Sequence, residues 1–265
     1  MDLVRPNPAM RLLPVLWLLL AASACQAQAV IRLEPRVLHT YPHDTGAFTE
    51  GLIYYQGALY ESTGRNGHSS LRKVDIESGE ILPDPKPVTL ADEYFGEGLA
   101  RVGDRLIQLT WQKGTAFVYD LATFQKTGSF TYQGEGWGLC YDGTELYMSN
   151  GGSSLAVRDP DDFELLREIP VTLHGEPVPY LNELECAQGS IYANIFTTDY
   201  IVRIDPASGR VTAVIDASGL LSASQRQSLG TDPNKVLNGI AFNAQTGAFY
   251  VTGKNWPQLF EVRFE

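Results

Sequence analysis

The chain has 265 residues, of which 44% are hydrophobic and 19% are charged. Acidic residues outnumber Lys and Arg by 31 to 20, which gives a formal net charge of −11 at pH 7. Nucleic-acid binding depends on clustered cations that displace counterions from phosphates, so this charge argues against a nucleic-acid partner. Acidity by itself favours solubility and identifies no other partner.

The N-terminal segment has the pattern of an export signal. Arg11 precedes an apolar run from Leu12 to Ala22, and small residues follow immediately before Cys25. The run is short for a membrane-spanning helix, and its flanks fit a cleaved signal peptide over residues 1–24. Cleavage before Cys25 would resemble lipoprotein processing, so simple secretion and a lipid anchor at Cys25 both stay open. We expect an exported protein, periplasmic or secreted, with no transmembrane segment in the mature chain.

The remaining chain carries a repeated phrase. It comprises about 240 residues, a common size for one all-β domain, which we place at residues 29–265. The phrase recurs at intervals of roughly 40–55 residues, the period typical of four-stranded propeller blades. The five copies are Phe48–Leu52, Phe95–Leu99, Gly136–Leu139, Asn182–Glu185 and Leu237–Ile240. The repeat predicts an all-β fold, a five-bladed β-propeller.

Each copy of the phrase begins a unit of short strands and turns. Runs of β-branched and aromatic residues alternate with turns such as Gln56-Gly57, which is a hairpin signal. A short helix is predicted at Ser222–Ser228. The last unit ends at Leu259–Phe264 and leaves no chain for a fourth strand. We therefore expect the N-terminal run Ala29–Leu33 to close the ring with the C-terminal strands.

The central channel is the expected functional site. The first strand of each blade lines the channel of a propeller, so the five phrases converge on one axis. Their glycines let the backbones approach closely. Carboxylates crowded there must raise their pKa values, bind a cation or pair with a base. The polar residues within or directly beside the phrases are Glu50, Glu97, Glu135, Asn182, Glu183, Glu185 and Asn238.

Two cysteines lie beyond the N-terminal segment. Cys140 and Cys186 follow the phrase in adjacent copies, and an exported protein permits a disulfide. Inner strands of adjacent blades are not hydrogen-bonded partners, so the bonding geometry is not assured. The sequence leaves open both a disulfide and two buried free thiols.

Metal-dependent chemistry has little support in the pattern of ligand residues. His39 and His43 are four residues apart, but Pro42 between them argues against a helical metal pair. Neither a G-x-S-x-G elbow nor a phosphate-binding loop is present. We expect no catalytic metal. A structural calcium in the acidic channel is possible, but no Asp-rich loop indicates one.

The mature chain resembles the glutamine cyclotransferase family, from about Val37 to Phe264. The motifs that carry the resemblance are FTEGL, YFGEGL, LIQLTW, GEGWGL, LNELE, LNGIAF and VTGKNWPQLFEV. The family comprises plant- and bacterial-type glutaminyl-peptide cyclases, five-bladed propellers unrelated to the zinc-dependent animal enzymes. The resemblance implies conversion of N-terminal glutamine to pyroglutamate in peptides or proteins, with release of ammonia and no required cofactor. This reaction needs proton transfer, donors for an oxyanion and a pocket that folds the glutamine.

The resemblance also implies three catalytic residues. Glu97 matches the family's acid/base, which needs a pKa raised by burial. Lys254 matches the active-site lysine, which could stabilise the oxyanion or tune Glu97. Asn182 matches an amide that contacts the substrate. A purely structural pairing of Glu97 with Lys254 is the alternative.

The same comparison implies a set of substrate-binding residues. Phe48, Trp111 and Trp137 match apolar walls of the pocket. Glu50 stands where some plant members have Gln. Phe196 occupies a position that is often Trp, so an apolar wall survives but an indole N–H hydrogen bond is lost.

Two other classes of function stay open. One is a propeller that binds peptides or an envelope partner without catalysis, because a fold does not fix a function. The other is a lactonase-like hydrolase with a metal in the channel. The joint presence of Glu97 and Lys254 with an aromatic pocket favours the cyclotransferase. Since a compact propeller is self-sufficient, we expect a monomer.

Overall fold

The computed structural model describes Met1 and residues 29–265. The predicted signal peptide and Cys25 therefore lie outside the described residues. None of the helices in this described part is long and apolar enough to cross a membrane.

Five small sheets, one for each copy of the repeated phrase, form a five-bladed β-propeller and confirm the predicted fold. Two strands precede the first blade: β1 (Ile31–Leu33) and β2 (Pro35–Pro42). Blade 1 contains β3 (Thr49–Tyr55), β4 (Ala58–Thr63), β5 (Ser70–Asp75) and β6 (Val88–Thr89). Blade 2 contains β7 (Gly96–Val102), β8 (Arg105–Thr110), β9 (Thr115–Asp120) and β10 (Lys126–Thr131). Blade 3 contains β11 (Leu139–Tyr141), β12 (Leu146–Met148), β13 (Ser154–Arg158) and β14 (Leu165–Pro170).

The second half of the chain completes the ring. A small hairpin follows blade 3 and consists of β15 (Thr172–Leu173) and β16 (Glu176–Pro177). Blade 4 contains β17 (Leu181–Ala187), β18 (Ser190–Ile195), β19 (Tyr200–Ile204) and β20 (Val211–Asp216). The insertion that follows carries α1 (Ala223–Ser228), with Ser222 as its N-cap, which confirms the predicted helix. Blade 5 contains β21 (Leu237–Asn243), β22 (Ala248–Gly253) and β23 (Gln258–Phe264).

The ring closes through an N-terminal strand other than the one predicted. β2 pairs antiparallel with β23 and is the fourth strand of blade 5. The assignment of this role to Ala29–Leu33 was wrong, because that run supplies β1, which adds in parallel to β20 of blade 4. The two strands also differ in length: β2 has eight residues and pairs along the seven of β23, whereas β1 has three. Closure between N- and C-terminal strands is confirmed.

Glycines allow the inner strands to pack side by side around the channel. A Cβ on Gly51 would lie 2.5 Å from the backbone nitrogen of Leu99, and one on Gly98 would lie 2.5 Å from that of Leu139. Real Cβ atoms do not tolerate such distances, so only glycine fits there. Hydrophobic side chains fill the space between blades, in five buried clusters at the five interfaces.

A disulfide joins blades 3 and 4. Cys140 on β11 and Cys186 on β17 are bonded, with their Cα atoms 5.4 Å apart. The two residues hold equivalent places in adjacent copies of the phrase, and the ring brings those places together. Of the two alternatives that the sequence left open, the structure has the disulfide.

Candidate active site

The repeated phrase forms a β-bulge on the inner strand of four blades. The ladder register shifts at Thr49/Gly51, Gly96/Leu99, Leu181/Leu184 and Leu237/Ile240. The residues passed over by the ladders include Glu50, Glu97, Asn182 and Asn238. Bulges redirect side chains and are frequent next to active sites. Three of these polar residues, Glu50, Glu97 and Asn182, line one cavity.

This cavity has a volume of about 350 Å³ and lies where the inner strands begin. It brings together all eight predicted site residues: Phe48, Glu50, Glu97, Trp111, Trp137, Asn182, Phe196 and Lys254. Three further lining residues escaped the sequence analysis, namely Arg65, Phe95 and Asn234. Phe95 begins the second copy of the phrase and could have been found there. Arg65 and Asn234 lie in loops, where no repeat marks them.

Glu50 and Lys254 form a buried ion pair. The Lys254 Nζ lies 2.8 Å from Glu50 Oε1 and 2.7 Å from Glu50 Oε2, and both side chains are at most 5% exposed. Asn238 Nδ2 donates to Glu50 Oε2 at 3.3 Å and to the Thr49 carbonyl at 2.9 Å. Lys254 therefore pairs with Glu50, not with Glu97 as the structural alternative had supposed.

Glu97 completes a chain of three ionisable groups. The residue is 6% exposed and lines the same cavity as Glu50, whose charge acts on it. Burial raises the pKa of Glu97 well above its ordinary value, and the charge of Glu50 raises it further against the opposing effect of Lys254. Lys254 contacts Glu50 directly. Burial raises the pKa of Glu50 as well, but Lys254 opposes this effect most strongly there, so the proton that the two carboxyl groups share resides on Glu97.

Aromatic rings enclose these polar groups. Phe95 makes edge contacts with Phe48 and Trp111, at centroid distances of 6.1 and 5.7 Å. Trp137 meets Phe196 in the same geometry at 5.5 Å. The Lys254 ammonium lies 4.8 Å from the Phe48 centroid and 5.1 Å from that of Phe196, within cation–π range. Although Phe196 lacks an indole N–H, it supplies a wall of the cavity and a contact to the lysine.

Asn182 presents an unused acceptor. The residue is 2% exposed, and no donor among the described residues reaches its Oδ1. Its backbone carbonyl is fixed by the Ser149 hydroxyl, which donates at 2.7 Å. Leaving a buried acceptor unpaired is costly. Because Asn182 also lines the cavity, its side-chain amide is positioned to contact a bound molecule.

Residues 29–265 contain no group of three or more His, Cys, Asp and Glu side chains arranged to hold a metal ion. His43, one of the histidines weighed as a ligand, is instead buried with its Nε2 3.1 Å from Glu61 Oε1. Arg72 donates to the same carboxylate from Nε at 2.9 Å. This cluster belongs to the internal polar network of blade 1.

The fold and the cavity together define the class of protein, a five-bladed propeller enzyme. Its inner strands place Glu50, Glu97 and Asn182 in one pocket, where Lys254 and the aromatic walls join them from adjoining segments. The sequence pattern of the family described as glutamine cyclotransferase matches residues 11–264 of this chain. The chain belongs to the glutamine cyclotransferase family.

Two relatives agree with this membership. The chain is 40% identical over 238 residues to a glutaminyl-peptide cyclotransferase of Arabidopsis thaliana, a match that covers 88% of this chain and 72% of that protein. It is 43% identical to Myxococcus xanthus glutaminyl cyclase, whose crystal structure matches with a TM-score of 0.82 over 89% of this chain and 99% of that one.

Proposed function

We propose that this protein is a glutaminyl-peptide cyclotransferase that converts the N-terminal glutamine of peptides or proteins to pyroglutamate and releases ammonia. The observation that carries the proposal is the placement of Glu97 beside the buried Glu50–Lys254 ion pair inside an aromatic cavity. Such an arrangement offers one mobile proton and one fixed negative charge to a small substrate. Membership of the family and the names of the two relatives support the same reaction.

The cavity selects and folds the substrate. Trp111, Trp137 and Phe196 enclose the methylene groups of the glutamine side chain and bend it until the α-amine faces the γ-carbonyl. Holding reacting atoms in that geometry is worth effective molarities of about 10⁵–10⁸ M. The side-chain amide of Asn182, which lines the cavity, forms a hydrogen bond with the substrate.

Proton transfer follows from the carboxyl pair. The α-ammonium gives one proton to the pair, and the neutral nitrogen attacks the γ-carbon, so that a C–N bond forms and the carbonyl oxygen takes the negative charge. Glu97 then donates a proton to the amide nitrogen and takes the surplus proton from the new ring nitrogen, so that it ends the step protonated. The old C–N bond breaks, the carbonyl re-forms, and ammonia leaves and takes up the proton that the α-ammonium gave to the pair. Glu97 suits this exchange because its raised pKa lets it hold a proton at neutral pH.

Lys254 and Glu50 set the charge of the site. The lysine favours the charged form of Glu50 against the burial that raises its pKa, and the Lys254 ammonium lies close enough to the acid pair to favour a developing oxyanion. Glu50, in turn, keeps the proton on Glu97. Each step uses groups of this chain or of the substrate, so the proposed reaction requires no cofactor or metal.

We place this activity outside the cytoplasm, on a monomeric enzyme that is periplasmic or secreted. The signal-like residues 1–24 support export. The Cys140–Cys186 disulfide supports an oxidising compartment. A lipid anchor at Cys25 would keep the enzyme at a membrane surface. Mass spectrometry of the exported protein distinguishes a free N-terminus from a lipid-modified Cys25.

An ammonia-release assay tests the proposal. Purified protein is expected to release ammonia from peptides with N-terminal Gln, with and without a chelator, and to leave the same peptides unchanged when their α-amine is acetylated. The acetylated peptides are the matched control because they lack the attacking amine. Failure on a broad set of Gln peptides would favour a binding propeller, and loss of activity in chelator would favour a metal-dependent hydrolase.

A further inference from the structure

Glu135 stands behind the cavity wall and binds three side chains. Its Oε2 accepts from Trp111 Nε1 at 2.7 Å and from Trp137 Nε1 at 3.0 Å. Its Oε1 accepts from Gln112 Nε2 at 2.9 Å. Both indoles line the cavity, whereas Glu135 does not. One carboxylate therefore holds two walls of the site without lining it.

The two indoles come from different parts of the ring. Trp111 follows the last residue of β8 in blade 2, and Trp137 precedes β11 of blade 3. The backbone near Glu135 repeats this link, since Gly136 N donates to the Trp111 carbonyl at 2.9 Å. An indole N–H in an apolar wall needs an acceptor. With both N–H groups directed at one oxygen, neither ring can turn without breaking a hydrogen bond.

The carboxylate suits this role chemically. Burial opposes its ionisation, but hydrogen bonds from Gln112, Trp137 and Trp111 outweigh that effect and hold the pKa of Glu135 below its ordinary value. An ionised carboxylate only accepts hydrogen bonds, and charge-assisted bonds are stronger than neutral ones. Glu135 is therefore ionised at neutral pH and serves all three donors together.

We propose that Glu135 is a positioning residue for cyclisation, which acts through Trp111 and Trp137 by fixing the two indoles that fold the glutamine substrate. This inference rests on the proposed function. Ring closure depends on sub-ångström alignment of the amine with the carbonyl, and a misplacement of about 1 Å can reduce the rate roughly 100-fold. The substrate would contact the two indoles, and Glu135 would act on the substrate only through its hydrogen bonds to them.

Two substitutions separate the hydrogen bonds from the charge. Glu135→Gln keeps an oxygen that can accept from both indoles, whereas Glu135→Ala removes it. Glu145→Ala is the matched control: this carboxylate in blade 3 accepts from Arg167 Nη1 and Nη2 at 2.6 and 2.7 Å and does not line the cavity. The readouts are kcat and KM for a Gln peptide, thermal stability, and tryptophan emission with acrylamide quenching.

The expected results form one pattern. Glu135→Ala lowers kcat about 10- to 100-fold and alters tryptophan emission and quenching, Glu135→Gln stays within about threefold of wild type, and Glu145→Ala changes neither readout. Turnover of Glu135→Ala within twofold of wild type would overturn the inference. Parallel losses in Glu135→Ala and Glu145→Ala that follow thermal stability would also overturn it.

Failure of the proposed function is distinguishable from failure of this inference. If the wild-type protein releases no ammonia from any Gln peptide, the proposed function fails and the fluorescence readout decides the role of Glu135. A changed emission and quenching in Glu135→Ala alone would then support control of the indoles. Spectra identical to those of the wild type would overturn it.

Discussion

Glu97 and Glu183 occupy similar places and meet different partners. Both lie on inner strands, at residues that the ladders pass over in a bulge, and both are at most 6% exposed. Burial raises the pKa of each well above its ordinary value. Glu183 uses its two oxygens to accept from the backbone N–H groups of Leu52 and Ile240, at 3.2 and 2.8 Å. Glu97 instead lies beside Glu50 and lines the cavity.

The comparison shows that the repeat places a carboxyl group but does not decide its role. Glu183 extends from blade 4 to the inner strands of blades 1 and 5, so its oxygens are occupied by the fold. Glu97 can exchange its partner for a substrate. Four predictions test this contrast.

The largest expected effect is on catalysis by Glu97→Gln. The amide keeps the shape of the side chain but cannot exchange a proton, so ammonia release is expected to fall about 10²- to 10⁴-fold. Thermal unfolding should change little, because a neutral amide replaces a neutral buried acid. Activity above a tenth of the wild-type value would remove Glu97 from the proposed mechanism and indicate a structural role like that of Glu183.

Glu183→Ala is expected to reduce stability instead. Two buried N–H groups lose their acceptor, at about 1–3 kcal/mol each, so the free energy of unfolding should fall by about 2–6 kcal/mol in denaturant titrations. Turnover per folded molecule should remain near that of wild type. Glu183→Gln is the milder control, since it retains one acceptor oxygen. A stable Glu183→Ala protein without activity would contradict this prediction and show that Glu183 is needed for catalysis.

The raised pKa of Glu183 predicts a dependence of stability on pH. The folded protein keeps this proton above the pH at which the unfolded chain, with an ordinary value of 4.5, releases it. The stabilisation is complete below about pH 4.5 and is lost as pH rises through the folded pKa, by at most about 1.4 kcal/mol per pH unit. The free energy of unfolding should therefore fall less steeply with pH in Glu183→Gln than in wild type. Identical slopes would contradict the assignment.

The smallest effect is expected at the cavity wall, for Phe196→Trp. Phe196 supplies apolar surface and a contact to Lys254 but no acid or base. An indole offers the same surface and a stronger cation–π partner, so kcat/KM should stay within about threefold of wild type. A tenfold loss in steady-state assays would show that the site depends on the smaller ring.

Much of the fold could be predicted because its signals are local. The number of copies of the phrase predicted the number of blades, and the interval between copies predicted four strands in each. Strand-and-turn patterns predicted the hairpins. The ring closure was partly misassigned, since β1 pairs with blade 4 and β2 with blade 5, and such long-range pairing has no local signal. The β-bulges that place Glu50, Glu97 and Asn182 along the cavity also have no local sequence signal beyond the glycines of the phrase.

The sequence by itself determined the five-bladed ring and the set of residues that converge on its axis, because period and alternation are properties of neighbouring residues. The tertiary structure alone decided their partners. Lys254 meets Glu50 across 204 residues of chain, Cys140 meets Cys186 across 46, and Glu135 joins indoles of two blades. Such pairings depend on distances of a few ångströms between distant segments. Those distances exist only once the ring has closed.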